Sequence, residues 1–107
     1  MSSIIHPPKR TDWRSEFKRL EGAYAASTIR SYLVDVGIFA QWCDDSGLQP
    51  FPASIETMCA FLEAQAPALA PSTVWRRLYA IRKAHRLLRI PDPTWDEQIT
   101  ITLRRRS

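Results

Sequence analysis

"STVWRRLYAIRKAHR", residues 72–86, repeats its apolar side chains at the three- and four-residue spacing of an α-helix. On a helical wheel, these side chains and a leucine just beyond the stretch form one stripe: Val74, Leu78, Ile81, His85 and Leu88. Such a stripe, opposite polar side chains, is typical of a helix that packs on an apolar core. The stretch therefore predicts an amphipathic helix from Thr73 to about Leu88, capped by Ser72 and ended by the prolines at 91 and 93.

The other side of this helix is basic and partly aromatic. It is formed by Trp75, Arg76, Tyr79, Arg82, Lys83 and Arg86, with Arg77 at its border. Arginine can bind a phosphate or a guanine through two parallel hydrogen bonds, and a helix N-terminus adds backbone N–H donors. The same face could instead be an ordinary solvated surface whose tryptophan packs on a neighbouring element. The residues of this helix alone leave both interpretations open.

Four further helices are predicted around this one. They run from Trp13 to about Glu21, from Thr28 to about Asp44, from Ile55 to Pro67, and through residues 95–106. Their expected N-caps are Thr11 or Asp12, Ser27, Ser54, and the capping-box pair Thr94 and Glu97. In the last helix the core-facing residues would be Trp95, Ile99, and Thr102 or Leu103. The β-branched residues 99–102 also allow a strand there.

These elements predict an all-α fold, a compact bundle of four to five helices. The chain has 107 residues, which suits one domain, and its three glycines and many alanines, leucines and arginines favour helix over sheet. Residues 1–10 contain two adjacent prolines and are expected to form a disordered lead. Residues 11–107 are expected to form the helical domain.

Charge is distributed unevenly along the chain. The net charge is +4, but residues 1–71 sum to −2 and residues 72–107 to +6. A basic third of this kind indicates a polyanionic partner, although a charged surface can also serve solubility alone.

Few residues suggest catalysis or metal binding. Cys43 and Cys59 lie in apolar helical patterns and are predicted to be reduced core residues, because a disulfide framework or a zinc site needs more ligands. His85 is predicted to be a hydrogen-bonded core histidine. No Gly-rich phosphate loop, nucleophile elbow or metal-ligand cluster occurs, so no cofactor and no metal is expected. No apolar run suits a signal peptide or a membrane span, so a cytoplasmic location without a membrane partner is expected.

Four pieces of the chain, in this order and spacing, resemble a known family. They are "STIRSYLVDVGIFAQWC", "PFPASIETMCAFL", "PSTVWRRLYAIRKAHR" and "PDPTWDEQITITLRRR". Together they are similar to the N-terminal core-binding (SAM-like) domain of tyrosine recombinases and phage integrases, including Cre-like members. The resemblance covers about residues 27–106. It implies a small helical bundle that grips one face of double-stranded DNA during DNA integration or recombination.

The resemblance also implies site residues, since two helices of that domain approach the major groove. Here these are the helices from Thr28 to about Asp44 and from Thr73 to about Leu88. The implied DNA-binding residues are Thr28, Arg30, Ser31, Ser72, Thr73, Arg76, Arg77 and Lys83, with Arg82 and Arg86 as weaker candidates. Cre-like members can carry a lysine just before the threonine of the second helix. Ser72 stands there in this chain, so the base contacts of those members do not carry over directly.

The family's catalytic Arg, Lys, His and Tyr lie in a separate C-terminal domain, and "LRRRS" falls where the linker to that domain would begin. The chain is therefore expected not to be an enzyme by itself. Neighbouring recombinase protomers on DNA are implied partners, with Ile101 as a contact residue, and the isolated domain is expected to be monomeric. The alternative function is a small helical protein–protein interaction module. Its docking residues would be Trp13, Phe17, Trp95 and Ile101.

Overall fold

A computed structural model describes residues 13–106 of the chain. Its α-helices are α1 (Trp13–Lys18), α2 (Ala26–Asp45), α3 (Ile55–Gln65), α4 (Pro71–Leu88) and α5 (Glu97–Arg106), with short 3-10 turns at Ala66–Ala68 and Pro93–Trp95. The all-α prediction is confirmed, and the strand considered for residues 99–102 is wrong because they lie inside α5. The predicted disordered lead, residues 1–10, lies outside the described residues.

The predicted helix starts are only partly correct. Ser54 caps α3 as expected, since its hydroxyl accepts the backbone N–H of Thr57 at 3.0 Å. The caps predicted at Ser27 and Ser72 are wrong, because α2 and α4 each begin two residues earlier than expected and no side chain caps either helix. In α4 the first helical residue is Pro71, whose ring fixes a helical φ and whose missing N–H needs no partner there.

The predicted capping box before α5 does not form. The Thr94 hydroxyl and backbone N–H both donate to Asp92, at 2.6 and 2.8 Å, so Thr94 belongs to the 3-10 turn. The carboxylate of Asp96 instead accepts the backbone N–H of Gln98 at 2.8 Å. An aspartate can cap a helix in place of a threonine because both present a short-chain acceptor to the orphan N–H groups.

Aromatic side chains fill the centre of the bundle. Phe39 of α2 lies between Phe51 and Phe61, with ring centroids 6.0 and 5.0 Å away at steep angles. Edge-to-face contacts of this kind match the positive ring edge to the negative ring face. Trp13 and Phe17 of α1 join the same core and are almost fully buried. Their assignment as docking residues of an interaction module is therefore wrong for the folded domain.

His85 is a core histidine, as predicted. It is fully buried, accepts the backbone N–H of Ala53 through Nε2 at 3.0 Å, and places Nδ1 2.9 Å from the Ile81 carbonyl oxygen. Both ring nitrogens are satisfied only in the neutral tautomer that carries its proton on Nδ1. Burial lowers the pKa of His85, because the charged imidazolium is poorly solvated in the core. The contact also ties the segment before α3 to α4.

A test of this arrangement is the pH dependence of stability. A histidine whose pKa is lowered in the folded state binds fewer protons there than in the unfolded chain. The free energy of unfolding should therefore fall as the pH drops through the unfolded value of about 6.5, by at most ~1.4 kcal/mol per pH unit. His85→Gln, which does not titrate, should be less stable at neutral pH but lose less stability on mild acidification. Urea unfolding of both proteins at several pH values measures this, and equal slopes would show that His85 is not held neutral.

Candidate nucleic-acid interface

Helices α2 and α4 pack against each other and carry all the predicted site residues. Lys83 of α4 reaches Tyr24, just before α2, whereas Arg76 reaches Asp35 in the middle of α2. The two helices therefore run in opposite senses along this contact. Lys83 thus lies beside the start of α2, and Arg76 lies beside its middle.

Asp35 is the centre of a charge cluster between these helices. Its carboxylate side chain is only 2% exposed and accepts two hydrogen bonds from Arg76, from Nε at 2.9 Å and from Nη2 at 3.1 Å. Asp35 also lies 3.4 Å from Nε of Arg77. This carboxylate raises the pKa of Arg76 by hydrogen bonding and by its charge. The buried carboxylate thus holds one guanidinium in a fork-to-fork geometry and a second one at its side.

The two arginines differ in what they offer to a ligand. The Arg76 side chain is 58% exposed despite its ion pair, so part of its guanidinium faces solvent. The Arg77 side chain is 14% exposed and also donates to the side-chain oxygen of Gln65. Of the two, Arg76 is therefore the better placed for an external partner, and a DNA contact by Arg77 stays a prediction.

Lys83 is held by an aromatic side chain. Its ammonium donates to the hydroxyl of Tyr24 at 2.9 Å and lies 4.9 Å from the centre of the Tyr24 ring. This hydrogen bond, followed by the charge of Lys83, lowers the pKa of Tyr24, and Arg86 adds a smaller effect of the same sign. No carboxylate pairs with Lys83 among the ion pairs of the described residues, so its positive charge is not neutralised.

The other predicted site residues lie at the starts of α2 and α4. Ser72 is exposed and Thr73 half-buried, and both lie in the first turn of α4. In α2, Thr28 is half-buried in the first turn, while Arg30 and Ser31 are exposed in the second turn rather than the first, because the helix begins at Ala26. The structure thus brings the predicted residues to two neighbouring helices, and contact of any of them with DNA stays a prediction.

An aromatic and cationic row extends along α4 beside these residues. The Arg82 guanidinium lies 3.5 Å from the ring centre of Trp95 and 5.4 Å from that of Tyr79, and Tyr79 lies 5.9 Å from Trp75. Arg82 also donates to the hydroxyl and the carbonyl of Thr94. Trp95 is 65% exposed, so its predicted place in the core is wrong. It lies in the 3-10 turn before α5, where Arg82 covers one side of its indole instead.

Sequence reasoning missed two residues of this surface, Asp35 and Tyr24. The role of Asp35 becomes visible only in the fold, since its arginine partners are 41 and 42 positions away along the chain. The available signal is its position four residues before the buried Phe39, since residues at that spacing share one side of a helix. Tyr24 gave no periodic signal, because it precedes the helix. Ile101, expected at a protomer contact, is half-buried in α5.

Within residues 13–106, no three His, Cys, Asp or Glu side chains come together as metal ligands would. Over the same residues no helix is both long and apolar enough to cross a membrane. Cys43 is buried and Cys59 is half-buried, and both are free. Burial raises the pKa of the Cys43 thiol to about 12.

Comparison with known proteins relates the chain to tyrosine recombinases. It is 35% identical over 68 residues to "Integrase/recombinase xerD homolog" of Selenomonas ruminantium, a match that covers 64% of this chain and 20% of the relative. It is also 35% identical over 69 residues to "Tyrosine recombinase XerD" of Lacticaseibacillus casei, covering 64% of this chain and 24% of that protein. The chain thus spans a fifth to a quarter of the length of these relatives. No protein-family model matches it.

The contact between Lys83 and Tyr24 can be tested by titration. Lys83→Met removes the hydrogen bond and the charge that favour the phenolate, so the pKa of Tyr24 should rise. The measurement is phenolate absorbance against pH, with Tyr24→Phe used to identify which of the three tyrosines is observed. Arg86→Met is the matched control and should give a smaller shift, since Arg86 acts on Tyr24 only through its charge. An unchanged Tyr24 titration in Lys83→Met would mean that the contact does not persist in solution.

Proposed function

We propose that the chain is a core-binding, DNA-binding domain of a tyrosine site-specific recombinase or integrase. In this role it grips one face of double-stranded DNA during DNA integration or recombination and acts beside neighbouring recombinase protomers. The similarity to the two XerD-named recombinases supports the family, and the basic surface on α2 and α4 supports the DNA-binding role. The all-α fold agrees with the bundle that the resemblance implies.

The observation that carries the proposal is a set of cations without carboxylate partners on two adjacent helices. Arg30, Lys83 and Arg86 have no ion pair among the described residues. Cations that lack internal partners are free to replace the counterions of a phosphate backbone, and that release drives much of DNA binding. The first turns of α2 and α4 add backbone N–H groups and the hydroxyls of Thr28 and Ser72, and Ser31 follows in the second turn of α2.

The chain by itself is proposed to be non-catalytic. Each described tyrosine has neighbours that suit packing rather than phosphoryl transfer: Tyr24 bonds Lys83, Tyr32 stacks on Phe17 at 5.2 Å, and Tyr79 lies beside Trp75. A tyrosine nucleophile needs an activating base and a group of cations around the phosphate. The buried His85 cannot act on DNA from the core.

A protein-binding role is the second candidate, and one observation favours it. Trp95 and Tyr79 are exposed by 65% and 51% on neighbouring elements, and Trp75 extends the row. Exposed aromatic side chains beside an arginine are common at protein interfaces. This aromatic row shares Arg82 with the candidate DNA-binding residues of α4.

DNA binding can be tested at two salt concentrations. Arg30→Ala with Lys83→Ala should weaken binding to duplex DNA and reduce the slope of log K against log salt by about 0.9 for each phosphate that is no longer neutralised. The matched control is Arg14→Ala with Arg104→Ala, which removes two exposed cations of α1 and α5 that likewise have no ion pair among the described residues. The control should bind nearly as well as the parent. Equal weakening in both variants would indicate general electrostatics, and unchanged binding in both would refute the proposed interface.

Catalysis can be tested with supercoiled plasmid. The chain should neither relax the plasmid nor remain bound to it after denaturation, because no activated nucleophile is present in the described residues. Gel electrophoresis with and without protease treatment measures both outcomes. A covalent protein–DNA adduct would overturn the non-catalytic assignment, and Tyr24→Phe, Tyr32→Phe and Tyr79→Phe would then identify the nucleophile.

A further inference from the structure

We infer that Asp35 is a positioning residue that fixes Arg76 to recognise a guanine in the major groove, rather than a phosphate. This inference rests on the proposed DNA-binding function. Its starting point is the contact between α2 and α4, where a carboxylate that is 2% exposed holds an arginine that is 58% exposed. The carboxylate is inside the protein and the guanidinium reaches out of it.

The hydrogen bonds to Asp35 leave a defined set of donors on Arg76. A guanidinium has five N–H groups, and Asp35 accepts from Nε and from one N–H of Nη2. The free donors are those of Nη1 and the second N–H of Nη2. These lie on the end of the guanidinium and form a second fork, directed away from Asp35. A guanine presents two acceptors, O6 and N7, which match such a fork.

The charge of the cluster favours base recognition over phosphate binding. Arg76 and Arg77 share one carboxylate, so the three side chains carry a net charge of only +1. A phosphate can also accept two hydrogen bonds from an arginine, but its long-range attraction depends on net charge, which Asp35 lowers. Bidentate recognition of a base edge depends on orientation, and a guanidinium already held in place loses less conformational entropy on binding. Asp35 thus lowers the affinity of Arg76 for DNA of any sequence and restricts the orientation of its guanidinium.

Two exposed arginines on the same helices provide the contrast. Arg30 and Arg86 have neither an ion pair nor a side-chain hydrogen bond among the contacts of the described residues. Their side chains can follow a phosphate as the DNA backbone moves. Arg76 has its guanidinium plane set by a partner on another helix. The surface therefore combines cations without side-chain partners, which suit the DNA backbone, with an exposed arginine held by a carboxylate, which suits a base.

The test is selection of duplexes from a library with a randomised segment, at low salt, followed by sequencing. The parent chain should enrich a G·C pair at one position. Arg76→Lys keeps the charge and can still pair with Asp35, but it lacks the second fork, so the preference at that position should fall roughly tenfold or more. Arg86→Lys is the matched control and should keep the preference. The affinity of each variant for random duplex DNA is measured alongside, and the G·C preference is compared relative to that affinity.

Asp35→Asn separates positioning from a merely structural role. It replaces the carboxylate by a neutral amide with one acceptor oxygen, which loosens Arg76 and adds one net positive charge. Binding to random duplex DNA should therefore strengthen while the G·C preference falls. A structural defect would weaken both, and a thermal melt identifies it. If Asp35→Asn does not fold, Arg76→Lys decides the question, because Asp35 then still has Arg77 at its side.

The outcomes distinguish this inference from the proposed function. If the parent and Arg76→Lys both bind DNA and show the same base preferences, or none, Arg76 does not recognise guanine and the inference is wrong. If the parent binds no duplex at all, the proposed function itself fails. If Arg76→Lys loses affinity for every sequence equally, Arg76 contacts a phosphate and the inference is again wrong.

Discussion

The buried carboxylate of Asp35 joins the two helices on which the candidate interface depends. A carboxylate shielded from water is costly unless cations reach it, so only packings of α2 against α4 that bring Arg76 and Arg77 to Asp35 are favourable. The ion pairs therefore fix the rotation of α4 about its own axis. That rotation decides which side chains of α4 face solvent. Lys83 and Tyr79 lie on the outer side, and Val74 and Ile81 lie in the core.

The apolar core and the polar contacts have different roles in this bundle. Burial of Phe39, Phe51 and Phe61 stabilises the fold in proportion to the apolar area removed from water, and this stabilisation depends little on how the side chains are oriented. Two buried polar contacts do depend on orientation. Asp35 joins α2 to α4, and His85 joins α4 to the segment before α3. Each would leave an unpaired buried group if the helices slipped, and such a group costs about 1–3 kcal/mol or more. The positions of the helices are thus more sharply defined than the core alone would require.

On the proposed function, the same contacts organise the basic surface. Arg30, Lys83 and Arg86 retain unneutralised charge for the DNA backbone, while Asp35 restrains Arg76. The aromatic row of Trp75, Tyr79 and Trp95 borders these cations and is tied to them through Arg82. The surface therefore has a basic region suited to phosphates and, beside it, an aromatic region suited to a protein partner.

The sequence by itself determined the helices and most of the core, because the three- and four-residue spacing of apolar side chains can be recognised within a single helix. The buried stripe from Val74 to His85 and the cap at Ser54 were predictable in this way. The candidate site was predictable only as a set of basic residues on two helices, partly through the family resemblance. Tertiary structure alone decided that Trp95 is exposed and that Arg76 is held by a carboxylate 41 positions away. Trp95 is exposed because it lies in a 3-10 turn outside α5, where Arg82 from α4 covers it. The pairing of Arg76 with Asp35 depends on how α4 is rotated against α2, and local spacing carries no information about that rotation.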